Sequence, residues 1–486
     1  MTTAKPGLKV LNEDQINEVH KTVLTILVKT GIRVDDANAR AVIAKAVGRQ
    51  DDSDRLTIPE DLVMWAVKSA PAKVDIFRRD GRPAFSLDSD DTRNTVFGVG
   101  VTNLYYQQIL TDNVVPFSRE HMAKATRLAE NLSEFDTIST PGVIQDAPLE
   151  QAELIGPLEM LANTNKPIVL LISEANTFEA CLDMYDHLIG STVGKPFVIP
   201  YLNPITPLVL NAQTTFKMDL AIARGLPVIF SNYGMAGATT PITPGGTLAL
   251  LTAELLAGLV YSQLRKEGAA VILGSLPASF EMKSMQSYYS PQSMLINLAC
   301  AEMMAHYGVP HCGASGGWMG WGPDLMASTM LWANHLPGVL GKVGLVPFVG
   351  NNFGSLAFSP ATTVYAAEII RFAREFGQGF SLEADEAGLE EIIRLGPGAN
   401  YLTSDLTFKK FRDQSPLSRI WPTLSLEKWE AENRPKAGQV LREYTYNLLN
   451  EAAPPVDHER ILAGGEEFII NKFRNSGIQE FGDSGI

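Results

Sequence analysis

Residues Phe197-Val198-Ile199-Pro200-Tyr201-Leu202, the helix-period stretch Ala212 to Arg224, and Pro227-Val228-Ile229-Phe230-Ser231 form one unit that decides the fold. Both short runs are apolar throughout rather than alternating. Strands of that kind, separated by helices, belong to a parallel sheet covered on both faces. The unit recurs along the chain. Strand-like runs fall at Val96 to Val101, Ile138 to Ile144, Pro167 to Ile172, Phe197 to Leu202, Pro227 to Ser231, Ala270 to Ser275, Val309 to Gly313 and Val343 to Val349. Helix-like segments follow them at Arg119 to Leu132, Leu149 to Asn163, Phe178 to Leu188, Ala212 to Arg224, Thr247 to Lys266, Ser293 to Tyr307, Leu325 to Leu336 and Thr362 to Glu375. Ser290-Pro291 and Ser359-Pro360 each place a capping hydroxyl before a proline suited to the first helical position.

Eight such units over roughly 280 residues match the size of a (β/α)8 TIM barrel. A doubly wound open sheet is the alternative, and periodicity alone does not separate the two. Gly98-Val99-Gly100 lacks the third glycine of a dinucleotide fingerprint, which weakens the nucleotide-binding form of the open sheet. The expected organisation is an N-terminal helical and hairpin extension (1–93), the barrel (94–378) and a C-terminal helical extension packed on it (379–486). In the first of these, Asn12 to Gln15 reads as a capping box opening a helix from Glu13 to Val28. Further helices are expected at Ala37 to Val47 and Pro59 to Lys68, with a hairpin from Val74 to Leu87 turning at Asp80-Gly81.

The 486 residues carry 40 Lys and Arg against 54 Asp and Glu, a net charge of −14, with no basic run interleaved with aromatics, so nucleic acid is not an expected partner. Three cysteines, none at C-x-x-C spacing, signal neither a disulfide framework nor a thiolate zinc site. The first ten residues have no apolar core of signal-peptide length. The longest apolar stretches are interrupted, Thr247 to Tyr261 by Glu254 and Phe197 to Leu210 by three prolines. The expectation is a cytoplasmic protein with no membrane partner.

In a barrel the reacting groups come from the C-terminal ends of the strands and the loops after them. Here those ends hold no lysine placed as a Schiff-base donor, no carboxylate triad and no phosphate-cradling glycine loop. They hold aromatics, asparagines and glycines instead. The seventh loop, from His311 to Gly322, contains two of the six tryptophans, Trp318 and Trp321, among five glycines. Aromatic faces attract quaternary ammonium groups, each contact being worth about 0.5–2 kcal/mol once water is excluded. A cage of Trp318, Trp321, Phe230, Tyr233, Phe97 and Phe348 is therefore expected; the plainer reading has these rings fill the barrel mouth or a subunit contact. His311, Asn203, Asn232 and Lys283 are candidates to hold a carboxylate. The loop also satisfies G-x-S-x-G at Ser315, the form of a hydrolase nucleophile elbow, although neither His335 nor His458 is well placed as its base. His311 beside Cys312 does not make a metal site, because no third or fourth ligand follows at a suitable spacing.

Longer patterns point to a family. Pro323, the run Gly354 to Ser359, Tyr365-Ala366-Ala367-Glu368-Ile369-Ile370, the segment Gly396-Pro397-Gly398-Ala399-Asn400-Tyr401-Leu402-Thr403 and Thr407 together resemble the trimethylamine methyltransferase superfamily. Leu11 to Asp35, with Thr30-Gly31-Ile32-Arg33-Val34 closing its helix, is similar to that family's opening. The resemblance implies a TIM barrel that moves a methyl group from a methylated amine to the cobalt of a corrinoid protein. Founding members carry pyrrolysine, and every position here is an ordinary residue. A quaternary amine already bears the charge that pyrrolysine is thought to supply, so the implied substrate is a quaternary amine, with glycine betaine first. The corrinoid is the implied cofactor, carried by a partner protein: the corrinoid-gripping pattern Asp-x-His-x-x-Gly is only approached, at Asp186-His187-Leu188-Ile189-Gly190, inside an expected helix. A homo-oligomer is implied as well. Two other readings stay open: a barrel lyase or hydrolase using Ser315 or His311, and a non-catalytic binder of quaternary amines.

Overall fold

The computed structural model describes residues 3–49, 53–88, 95–190, 194–313, 320–383, 388–413 and 418–475. At its centre lie eight parallel strands: β1 (Val96–Val99), β2 (Thr137–Ser139), β3 (Ile168–Leu170), β4 (Val198–Leu202), β5 (Val228–Ala236), β6 (Val271–Glu281), β7 (His311–Gly313) and β8 (Leu345–Val349). Neighbours pair in chain order, and β8 returns to β1, closing the barrel. The open-sheet alternative is thereby excluded. Eight helices alternate with the strands: α1 (Arg119–Asn131), α2 (Leu149–Asn163), α3 (Ala175–Ile189), α4 (Ala212–Ala223), α5 (Pro244–Arg265), α6 (Pro291–His306), α7 (Leu325–Leu340) and α8 (Pro360–Gln378).

Alternation along each strand sends one residue inward and the next out against the helices. Val96, Val169, Ile199, Ile229, Ile272 and Leu345 fill the interior, where Val74, Ile76 and Leu87 of the hairpin Lys73–Phe77 and Pro83–Asp88 join them. The N-terminal hairpin thus plugs the barrel. Over Gly98, which has no side chain to intervene, Ser139 Oγ donates to the Pro347 carbonyl at 2.7 Å. Strand β8 is irregular between Val346 and Val349. That bulge places Leu345 and Phe348, three residues apart, in the same interior cluster.

Phe97 and Phe230, expected in the mouth, are on the outer face instead. Phe97 meets His335 of α7 edge to face, with centroids 5.3 Å apart, and lies under the Arg374 guanidinium. Phe230 is fully buried against α5, where a Cβ on Gly258 would come within 2.1 Å of its ring. They follow the inward Val96 and Ile229 by one residue, so the pleat carries them out.

Helix α5 is long and apolar enough to cross a membrane by length and composition, despite Glu254 at its middle. Protein surrounds it: β5 and β6 on one side, the N-terminal helices Glu13–Lys29, Ala37–Ala46 and Glu60–Ser69 on the other. Glu254 is buried and accepts hydrogen bonds from Leu208 N (2.6 Å) and Thr206 Oγ1 (2.7 Å), so a charge-capable helix residue holds the loop after β4. At the C-terminal end of the chain, helix Ala437–Glu451 packs on α8 and α1, and His458–Asn475 packs on α2 and α3. A bidentate pair between Arg79 and Asp457, 2.6 and 2.7 Å, ties the hairpin to that last helix.

Replacing Phe230 by Ala empties a closed site between β5 and α5. We expect a loss of about 3–5 kcal/mol in urea unfolding with little change in substrate KM, because the ring faces away from the mouth. Glu254 gives a second test. Burial pushes its carboxyl up to about 6, and the hydrogen bonds only partly oppose this. Folding raises the pKa, so the native state holds the proton more tightly than the unfolded chain. Stability is therefore greatest below the ordinary carboxyl range and declines by about 2 kcal/mol as pH rises through about 6. Titrating the unfolding free energy from pH 4 to 7 should show that decline in the parent and not in Glu254→Gln.

Candidate active site

A cavity of about 700 Å³ opens at the C-terminal ends of β1 to β4. Thr102, Thr140, Leu171 and Asn203 come from the strand ends and loops, Tyr201 from β4, Glu153 from α2, and Gln213 and Lys217 from α4. This is the face where barrel enzymes place their chemistry. A smaller cavity, about 340 Å³, is lined by Arg78, Glu130, Asp136 and Lys166. Lys166, from the residue pair before β3, belongs to the opposite end, where its Nζ donates to the last carbonyls of α1, Ala129 and Leu132, at 2.6 and 2.7 Å.

Tyr201 is the link between the cavity and the barrel interior. Its parity matches inward Ile199, and its ring meets Phe348 edge to face with centroids 4.9 Å apart, so the pair forms the floor of the mouth. Burial and then the neighbouring Cys312 raise its phenol pKa, while the polar side chains of Ser231 and Asn203 nearby act the other way. One side of the mouth is taller than the rest. The ladder between β5 and β6 continues from Val228↔Val271 to Ala236↔Ser279, and strand Gln286–Tyr288 pairs back onto β6. Tyr233 stands on this wall with the same parity as Ile229. Its phenol is raised by burial and hydrogen-bonds Ser287; Tyr289, next to that strand, is raised by burial and then by Tyr233 and Tyr201.

The remaining expected residues divide. Asn203 lines the cavity, with its Nδ2 donating to the Ser231 carbonyl at 2.8 Å. Asn232 faces outward, donating to Leu251 O of α5 at 2.9 Å. His311 also lies outside the mouth: it is the first residue of β7, its Nε2 is 3.3 Å from the Lys342 carbonyl, and burial lowers its pKa. Its neighbour Cys312 is the inward one, against Gly274. Lys283 sits on the exposed turn after β6. Trp321 is 68% exposed, and its carbonyl accepts from Gln107 Nε2 at 2.7 Å, which fixes it at the rim. Trp318 and Ser315 lie outside the described residues.

Sequence reasoning missed Tyr201, Tyr289, Glu153 and Lys217. Counting back by two from Asn203 would have found Tyr201; the two charged residues sit in the second turns of α2 and α4, where strand-end reasoning does not look. Lys217 is 7% exposed and donates to the carbonyls of Ile172 (2.8 Å) and Ser173 (2.9 Å). Burial lowers its pKa, while Glu174 and Glu153 act to raise it. Glu153 is raised chiefly by burial, and Thr177 acts to lower it. No ion pair joins Glu153 to Lys217 among the described residues.

None of the seven histidines lines the cavity. His335 is sealed between α7 and β1, where burial and then Arg374 push its pKa down to about 3; His458 is 3.0 Å from the Ala162 carbonyl in the C-terminal helix. Among the described residues no group of three or more His, Cys, Asp or Glu converges as a metal site would require. The arrangement can hold and orient a small molecule, and it offers no imidazole to move a proton.

The chain is similar over nearly its whole length to known proteins. It is 25% identical to a trimethylamine methyltransferase of Desulfitobacterium hafniense strain DSM 10664 / DCB-2, covering 94% of this chain and 92% of the relative. It is also 25% identical to a glycine betaine methyltransferase of strain Y51 of the same species, covering 97% and 98%. The crystal structure of the Methanosarcina barkeri monomethylamine methyltransferase shares the fold, with a TM-score of 0.52 at 10% identity over 91% of this chain and 88% of that one. The family model for trimethylamine methyltransferase matches residues 1–477, and the chain belongs to that family.

Proposed function

We propose that the protein transfers a methyl group from a quaternary amine, with glycine betaine the first candidate, to the Co(I) of a corrinoid carried by a separate protein. The products are the methylated corrinoid and the tertiary amine, dimethylglycine in the case of betaine. The observation that carries this reading is the cavity at the C-terminal strand ends: Tyr201 lines it, Phe348 packs edge to face on Tyr201, and no histidine lines it. The relatives named for methylamines and for glycine betaine support the same reaction class.

The corrinoid is a co-substrate here, and its Co(I) electron pair is the nucleophile that takes the methyl carbon as the C–N bond breaks. The nitrogen keeps the bonding pair and leaves as a neutral amine, so no proton moves and no general acid or base is needed. What falls to this chain is orientation. Tyr201 lines the cavity with Phe348 packed against it, and Tyr233 stands on the neighbouring β5–β6 ladder, so in this reading the ammonium rests against ring faces and its free methyl points out of the mouth. The rings attract the cation without a formal charge. That restraint matters because binding ground state and transition state equally well gives no acceleration.

The decisive measurement follows loss of Co(I) absorbance in reduced cobalamin, or in a corrinoid protein, with glycine betaine, proline betaine, carnitine, γ-butyrobetaine and choline. Turnover of one of them is expected. Binding by calorimetry without turnover of any would make the protein a binder rather than a methyltransferase. Tyr233→Ala should raise the KM of the accepted amine about 2- to 30-fold, the loss of one ring contact, with kcat largely kept.

A further inference from the structure

Among the charged side chains that face the large cavity, Glu153 and Lys217 come from different helices and are not paired with each other. Each has a local reason for its position. Thr177 lies near the Glu153 carboxyl and opposes the rise of its pKa. Two carbonyls at the end of the β3 segment, those of Ile172 and Ser173, hold the Lys217 ammonium and leave it one N–H to offer. A lysine this deeply buried is expensive unless its charge is met. Two carbonyl dipoles meet it in part; an anion in the cavity would complete the set. The opposite argument applies to Glu153. Tyr201 adds a third feature, a nearly buried hydroxyl that finds no well-formed hydrogen bond of its own beside the same space.

We infer that the cavity is built for a zwitterion, with Lys217 binding the carboxylate of the amine and Glu153 opposing its ammonium. This rests on the quaternary-amine reading and narrows it to carboxylated amines, the betaines as a class. A simple cation such as choline would satisfy Glu153 and leave Lys217 facing a like charge. A simple anion would do the reverse. A zwitterion satisfies both charges, and the direction between them fixes which end of the molecule reaches the mouth. Lys217 is a binding and specificity residue in this scheme, and His311, Asn232 and Lys283 have no part in it.

The test is the ratio of kcat/KM for glycine betaine, carnitine or γ-butyrobetaine over that for choline, measured in the full-length protein with reduced cobalamin, alongside calorimetric binding of the same compounds. Lys217→Gln should lower the carboxylated-to-uncarboxylated ratio roughly ten- to a hundredfold, the usual weight of a charge-assisted hydrogen bond. Lys217→Arg should recover part of it. Glu153→Gln should weaken betaine and choline together. If Lys217→Gln impairs both substrates equally, the residue is only a staple between α4 and the β3 segment, and the inference is overturned. Should the glutamine variant fail to fold, the arginine variant and Glu153→Gln decide: an unchanged ratio in the first with no loss of ammonium binding in the second also overturns it. Lys217-dependent betaine binding without methyl transfer would sink the proposed reaction and leave this inference standing.

Discussion

Every strand residue in a closed parallel barrel has two destinations, the interior or the helix layer, and the pleat assigns them alternately. That constraint decides what the mouth can contain. Ile199 faces in, so Tyr201 does as well and reaches the cavity; Ile229 faces in, so Tyr233 does, while Phe230 and Asn232 are sent against α5. At the seventh strand the same rule turns Cys312 inward and His311 out. The one departure is β8. Strict alternation from Leu345 would carry Phe348 outward, and the irregularity after Val346 returns it to the interior to meet Tyr201. The ring floor therefore depends on one bulge.

The electrostatics of the molecule are arranged around the same face. Glu254 lies deep in α5 with donors from the loop after β4 and no ion pair among the described residues, so the loop that lines the cavity through Asn203 and Ile205 is anchored by a buried carboxyl. Lys217 plays the corresponding part for the β3 segment, with the polarity reversed. Both groups are desolvated; Lys217 is met by two backbone carbonyls, and Glu254 by one backbone N–H and the Thr206 hydroxyl. Elsewhere, the ion pairs Arg119–Glu466 and Arg442–Asp112 join the C-terminal helices to the barrel, and the bidentate Arg79–Asp457 contact joins the N-terminal hairpin to the C-terminal part.

How much of this could be read in the amino-acid sequence follows from the range of each signal. Eight apolar runs and eight helical periods are local patterns, and all sixteen elements occur where the pattern puts them, because burial on both faces leaves little freedom. The closure of the barrel is not local, and it emerges only from the pairing of β8 with β1. The ring set was legible in kind and only partly in membership. Residue type alone puts Phe97 and Phe230 in the mouth, whereas parity with Val96 and Ile229 sends them out. Glu153 and Lys217 gave no sequence signal, since a charge in the second turn of a helix looks like any solvated one until the fold shows what it faces. The glycine-rich loop around Trp318 lies outside the described residues, so its expected part in the cage stays a proposal.

That no histidine lines the cavity bears on the proposed reaction through charge as well as through protons. In a methyl transfer from a quaternary ammonium to a nucleophilic metal, positive charge leaves nitrogen as the bond stretches. A site that gripped the cation by close ion pairing would lose that interaction on the way to the transition state and raise the barrier. Phenol and phenyl faces at Tyr201, Phe348 and Tyr233 lose far less, because their attraction is weak per ring and spread over area. In the proposed scheme the Lys217 charge acts where no charge changes, at the carboxylate end of the substrate, and only Glu153 faces the nitrogen whose charge falls as the bond breaks. Under that proposal, rings beneath the reacting nitrogen and Lys217 at a group that stays anionic throughout let most of the binding energy hold the direction of attack rather than stabilise the charge that is lost.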